Sequence, residues 1–253
     1  MTPLTISLIV FVLVFSGALV GVSLRPYLSK RHLSRESKDV VTLTMGLVAT
    51  MAALVLGLLI ASAKSSFDDK NSQIKHITAK IILLDNLFQQ YGLEAQPARQ
   101  LLRKSIEPLF ERIWNEDKLQ SGKGGPFSAA TSSLTFIQEI EHLQPKNDSQ
   151  RSLQNRAVQI VTEIAQMRLL LFAQGGKSIP TPFLVVLVFW LATIFASFTL
   201  FARSNAIVVA ALFVCALSVA GSIFLILEMD SPFEGLMAIP SASLLNALPP
   251  IGS

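Results

Sequence analysis

Two carboxylates, Glu228 and Asp230, close the most C-terminal long apolar run of the chain, in the stretch LILEMDSPFEGL. Repeated around a ring of copies, such acids would gather cations at the mouth of a pore. They could equally be a polar helix end that marks where water begins, although acids sit slightly unfavourably at a helix C-terminus. Hydroxyls are the second candidate chemistry. Thr42 and Thr50 are close to two helical turns apart, so they roughly share a face and could offer oxygen to a dehydrating ion. Thr44 does not fall cleanly on that face. Small residues are the third. Gly17 and Gly21 form a GxxxG pair, and Gly46, Thr50, Ala53, Gly57 and Ala61 make a small stripe at helical spacing. Such residues let helix backbones approach closely, either inside one subunit or between subunits.

Other chemistries lack their residues. The sequence contains no GxxxxGK[ST], GxSxG or HExxH motif and no paired cysteines. His32, His76 and His142 lie far apart among polar neighbours, and Glu139 and Glu141 point to different sides of a helix. Gly124 and Gly125 follow no strand pattern, so a phosphate cradle is not expected. The single cysteine, Cys215, lies in an apolar run and excludes an intrachain disulfide. The expectation is a protein that is not an enzyme and takes no cofactor or metal.

The elements that must position these residues are apolar. Hydrophobic residues make up 51% of the 253-residue chain, charged residues only 15%, and the mean hydropathy is +0.52. Soluble domains carry roughly 25% charged residues, so a soluble protein, a nucleic-acid-binding domain and a disulfide scaffold are all excluded. Four runs approach the ~20 residues that cross a bilayer as helix: 4–24, 40–63, 183–202 and 206–227. The first has no basic residue before it, which marks a retained span and not a signal peptide. No ionisable residue falls inside any of the four, which argues against a proton relay and hence against a stator-like proton channel. The predicted organisation is 1–63 with the first two spans, a soluble helical insert over 64–181, a hairpin of spans over 182–227, and an acidic tail over 228–253.

The insert reads as helix almost throughout. Ile74, Ile77, Ile81, Leu84 and Phe88 make one apolar stripe up to Gly92, with no break after the second span. A second helix is expected over about 95–117, kinked or split by Pro108. Residues 120–126 form a flexible break, and a short third helix holds Leu134, Ile137 and Ile140. Asn147 and Gln150 suggest a capping box for a fourth helix, ended by Gly175 and Gly176. These helices should bury their stripes against one another as a bundle or as splayed hairpins. The class expected is an all-α polytopic membrane protein of four spans with a helical-bundle insert between the second and third.

Charge sets the expected orientation. Five Lys or Arg lie in the loop 25–39, whereas the tail after Leu227 has three acids and no Lys or Arg. The positive-inside rule then puts the 25–39 loop and the 203–205 turn in the cytoplasm. The insert and both termini fall on the periplasmic side of a bacterial inner membrane. Expected partners are the lipid bilayer, further copies of the chain and permeant ions, and no nucleic acid.

Asp230, Pro232, Phe233 and Gly235 form a D-x-P-F-x-G turn after the last span, with Phe233 placed to anchor at the interface. With this turn, the two-plus-two span layout and the helical insert, the chain resembles the bestrophin-like family of bacterial membrane proteins. The stretch around LLDNLFQQYGLEAQPARQL is similar to that family's insert, with Tyr91, Gly92, Glu94 and Arg99 at its recognisable positions. The resemblance implies kinship with bestrophins, which are pentameric anion channels with a large cytosolic domain, opposite to the orientation that charge suggests. No stretch matches a bestrophin pore neck of aromatic and aliphatic rings. Two functions follow as expectations: an oligomeric ion channel with the second span lining the pore, or a non-conducting sensor or scaffold.

Overall fold

A computed structural model describes residues 2–24, 35–114, 126–173, 179–201, 205–233 and 235–240. Most of the 25–39 loop and the 203–205 turn, the break at 120–126 up to Pro126, Gly175, Gly176 and the tail beyond Pro240 lie outside these residues. The described elements are α1 (Pro3–Leu24), α2 (Arg35–Tyr91), a 3-10 turn (Leu93–Ala95), α3 (Gln96–Trp114), α4 (Pro126–Glu141), α5 (Asp148–Ala173), α6 (Thr181–Phe201) and α7 (Ala206–Asp230). No strand occurs among the described residues. Four helices, α1, α2, α6 and α7, are long and apolar enough to cross a membrane. The chain is therefore all-α, with a helical region between the second and third of these.

Local sequence explains where the helices stop. Nothing between Arg35 and Tyr91 breaks a helix, so α2 is one element of 57 residues. It ends at Gly92, whose φ of +114° is a conformation that side-chain-bearing residues rarely adopt. Pro108 interrupts the hydrogen bonding of α3 without ending it, because one missing N–H leaves the neighbouring bonds intact. α7 includes Glu228 and Asp230 in its last turn and stops before Pro232, with the Ser231 N–H bonded to the Glu228 carbonyl at 3.2 Å.

Backbone contacts divide the chain into two compact units, Met1–Phe67 with Lys177–Ser231 and Asp68–Gly176 with Pro232–Ser253. In the first, α1 packs on α6 and α7. Val10, Val14 and Ala18 of α1 bury themselves against Phe195, Ala216 and Ile223. The Ser7 hydroxyl donates to the Ala220 carbonyl at 2.7 Å in a buried bond, and Phe11, Phe15 and Phe213 form a ring cluster with centroids 5.4 to 5.8 Å apart. Ala52, Leu59 and Ala63 of α2 pack with Ile179, Leu187, Ile194 and Ile226.

The second unit is built on the stripe Ile74, Ile77, Ile81, Leu84 and Phe88, which packs with Leu102, Ile106, Ile140, Ala157 and Ile160 from the other helices. The Asn147 side chain accepts from the Gln150 N–H at 2.8 Å, half of a capping box. The other half is shifted by one residue, since the Gln150 side-chain oxygen accepts from the Lys146 N–H at 2.8 Å. The Gln150 amide nitrogen donates to the Tyr91 carbonyl at 2.9 Å and so ties α5 to the end of α2.

Candidate functional site

On α2 the outward residues fall into two stripes. Val40, Leu43, Leu47, Leu54 and Leu58 form an exposed apolar ridge. Beside it run Thr42, Gly46, Thr50, Ala53, Gly57 and Ala61, all exposed. A Cβ placed on Gly46 or Gly57 meets no atom within 4 Å, so within the chain neither glycine packs against anything. Thr42 and Thr50 share this open stripe. The Thr50 hydroxyl donates to the Leu47 carbonyl at 2.7 Å, and its oxygen keeps capacity to accept. Thr44 donates to the Val40 carbonyl at 2.8 Å.

Gly17 and Gly21 sit differently, although they share the same four-residue spacing of small residues. A Cβ on Gly17 would stand 2.6 Å from the Ala192 carbonyl oxygen. One on Gly21 would collide with the Thr199 hydroxyl and the Ala196 carbonyl. α6 supplies its own small residues, Ala192, Ala196 and Thr199, at matching spacing. The buried Thr199 hydroxyl is satisfied within its own helix, at 3.0 Å from the Ala196 carbonyl.

Glu228 and Asp230 are buried, at 4% and 8% exposure, in the last turn of α7. Each has an interaction within the chain. A buried and compensated carboxylate fixes structure; within one chain these two do not face water as acids at a pore mouth would. The remainder of the turn motif belongs to the helical unit. Gly235 has φ of +85°, which explains glycine there. Phe233 packs edge-to-face on Trp114 with ring centroids 5.5 Å apart. The Trp114 indole N–H donates to the Ile239 carbonyl at 3.1 Å.

The residues quoted for the family insert converge on one corner. Tyr91 is buried, and burial, then the nearby Glu94 charge, push its hydroxyl above the usual tyrosine range. Its hydroxyl oxygen has no hydrogen-bond partner among the described residues. Glu94 pairs with Lys146 at 2.6 Å on the surface, and the Lys146 hydrogen bond holds its carboxyl below the usual range. Arg99 makes a two-pronged bond to Asp85, at 2.8 and 2.9 Å, and Arg103 approaches the same carboxylate at 3.4 Å. Burial alone would raise Asp85, but the Arg99 hydrogen bonds and charge, with Arg103, outweigh it and hold the group below its ordinary value. Lys80 pairs with Glu163 across α2 and α5, and that bond draws Glu163 down as well. Asp85 escaped the sequence reading; its position on the polar edge of the α2 stripe, opposite two arginines one turn apart, was the available signal. No group of three or more potential metal ligands occurs among the described residues.

These features define an all-helical protein with four helices fit to span a membrane and an ion-paired helical unit between them. The family model for a Bestrophin-like domain matches residues 12–244, and the chain belongs to that family. Comparison with curated proteins yields no match, and comparison with solved structures yields none.

Proposed function

We propose that the protein is an oligomeric, multi-pass integral membrane protein that conducts ions, with α2 at the contact between copies and beside the conducting path. The observation that carries this is the nakedness of α2. Only 11% of its most apolar stretch is buried within the chain, against 17% for α7, 28% for α1 and 33% for α6. Its open face combines a leucine ridge suited to lipid with a small stripe suited to a second helix. Thr50 on that stripe offers lone pairs, which favour a cation over an anion. Membership of a family named for its likeness to bestrophins supports conduction. The location proposed is a bacterial inner membrane, with the helical insert and both termini periplasmic. No enzymatic activity or cofactor is proposed.

A second reading, a non-conducting sensor or scaffold, is favoured by the burial of Glu228 and Asp230, which removes them from the water-facing position that a mouth requires. Native mass measurement in detergent combined with planar-bilayer recording separates the two. A ring of four or more copies with a current in a salt gradient supports the channel. A monomer or dimer that passes no current over a range of voltages supports the scaffold. Gly57→Leu should reduce recovery of the oligomer while leaving the fold of the single chain intact, since no atom of the chain opposes it.

A further inference from the structure

The helical unit carries a half-open cavity of about 330 Å³ lined by residues of α2, α3, α4 and α5. Its floor is apolar: Ile81, Leu84, Leu102, Phe136 and Val161 are each buried to more than nine-tenths. Its rim is different in kind. Ser105 and Pro108 are exposed on α3, and Arg168 is half-buried on α5. Two features leave this volume unfilled. Ser105 is short and turns its hydroxyl back to the Leu102 carbonyl, at 2.6 Å. Pro108, one turn further on, cannot donate to the carbonyl four residues before it and adds only a compact ring.

We propose that this cavity binds a small amphiphilic carboxylate with a single alkyl tail, its head at Arg168 and its tail on the apolar floor. This goes beyond the proposed conduction and does not depend on it. Three observations select the class. Arg168 lines the cavity, and its guanidinium is always charged and presents five donors in a fork that suits a carboxylate. Arg168 already has a partner within the chain, and a fork of five donors can serve a second acceptor. The floor offers only carbon, so the rest of the ligand must be apolar. The volume sets the scale, room for one alkyl chain of medium length. That fits an alkanoate of about eight to ten carbons and is too small for a two-chain lipid. Volumes of this size lie at the lower end of small-molecule sites.

The test uses the full chain in phosphatidylcholine nanodiscs, with empty nanodiscs as the partition control. Equilibrium dialysis against radiolabelled hexanoate, octanoate, decanoate and tetradecanoate should show saturable uptake of one per chain. Affinity should rise about three- to fourfold per added methylene, as burial of that group dictates, and fall once the tail outgrows the cavity. In the wild type, octanol and octyltrimethylammonium should bind at least tenfold more weakly than octanoate. Arg168→Gln should weaken octanoate about tenfold and bring it level with octanol, whereas Arg168→Lys should recover most of the loss. Val161→Phe, which fills the floor, should abolish uptake of every tail length. Should either substitution prevent folding, the head-group series on the wild type decides alone. Uptake equal to that of empty nanodiscs, or equal affinity for octanoate and octanol, overturns the proposal.

Discussion

Gly17→Ala adds one methyl group and should loosen the helix pair that organises the apolar unit. The new Cβ would stand 2.6 Å from the Ala192 carbonyl oxygen and 3.1 Å from its Cα, where ordinary contact begins near 3.4 Å. The obstacle is backbone, so no rotamer relieves it, and α1 must move off α6 by somewhat less than 1 Å. A gap of that order forfeits about a quarter to a half of the dispersion energy of the atoms it separates. Val10, Val14 and Ala18 lie on the same side of α1 and would share the loss. Overpacking of this kind costs about 1–3 kcal/mol, offset by up to ~1 kcal/mol because alanine favours helix over glycine. The net expectation is destabilisation by ~1–2 kcal/mol. Within the single chain Gly57→Ala carries only the favourable part, since nothing there lies within 4 Å of its Cβ, and the dissociated chain should be neutral or more stable by up to ~1 kcal/mol. Equilibrium unfolding in mixed micelles with increasing dodecyl sulfate, followed by tryptophan fluorescence, reads both. Trp190 lies on the other face of α6 from Ala192, packed with the residues of α2, and so reports unfolding of the apolar unit as a whole. If Gly17→Ala is as stable as the wild type, α1 and α6 do not meet at Gly17 and the close pairing is refuted.

Asp85→Asn should destabilise the helical unit by about 2–4 kcal/mol, because it leaves Arg99 and Arg103 without their shared anion. The depressed Asp85 group contributes stability above its ordinary value of 3.8, and that contribution is lost as pH falls through its lower folded value. The melting temperature of the wild type should therefore drop below about pH 4, and Asp85→Asn should flatten part of that drop. Gly235→Ala should cost about 1–2 kcal/mol through its positive φ, read as a lower melting temperature with unchanged helicity by circular dichroism. For orientation, cysteines at Ser34 and Ser121 in a Cys215→Ser background should react differently with an impermeant thiol reagent on intact cells. Labelling at position 121 alone supports a periplasmic insert, whereas labelling at position 34 alone reverses it.

The spans were legible because a run of some twenty apolar residues without a charge has few alternatives to a membrane helix. The insert helices were legible because the stripe from Ile74 to Phe88 repeats every three or four residues. What the sequence could not disclose is which small residues find a partner. Gly17 and Gly21 share their four-residue spacing with Gly46, Thr50, Ala53, Gly57 and Ala61, yet only the first pair meets another helix within the chain, because α6 brings Ala192, Ala196 and Thr199 opposite. The partner lies some 175 positions away, beyond any local pattern. Glu228 and Asp230 were ambiguous for a related reason: a carboxylate at the end of an apolar run looks the same in sequence whether it faces water or is covered. That Phe233 meets Trp114 is equally invisible in the sequence, because the two rings lie more than a hundred positions apart. The Asp85–Arg99 bond joins residues on either side of the Gly92 corner, so it depends on a turn angle that composition does not encode.

The pairing of α1 with α6 and α7 has a consequence for how the chain is made. α1 leaves the ribosome first, and its partners emerge only after Thr181, more than 150 residues later. At ~5–20 residues per second, α1 waits in the bilayer for roughly 10–30 s with its Gly17–Gly21 groove unfilled. During that interval the groove is open to any passing helix with small residues, and an insertion factor that shelters it would raise the yield of correctly assembled protein. A nascent chain released before α6 would keep the same groove open permanently.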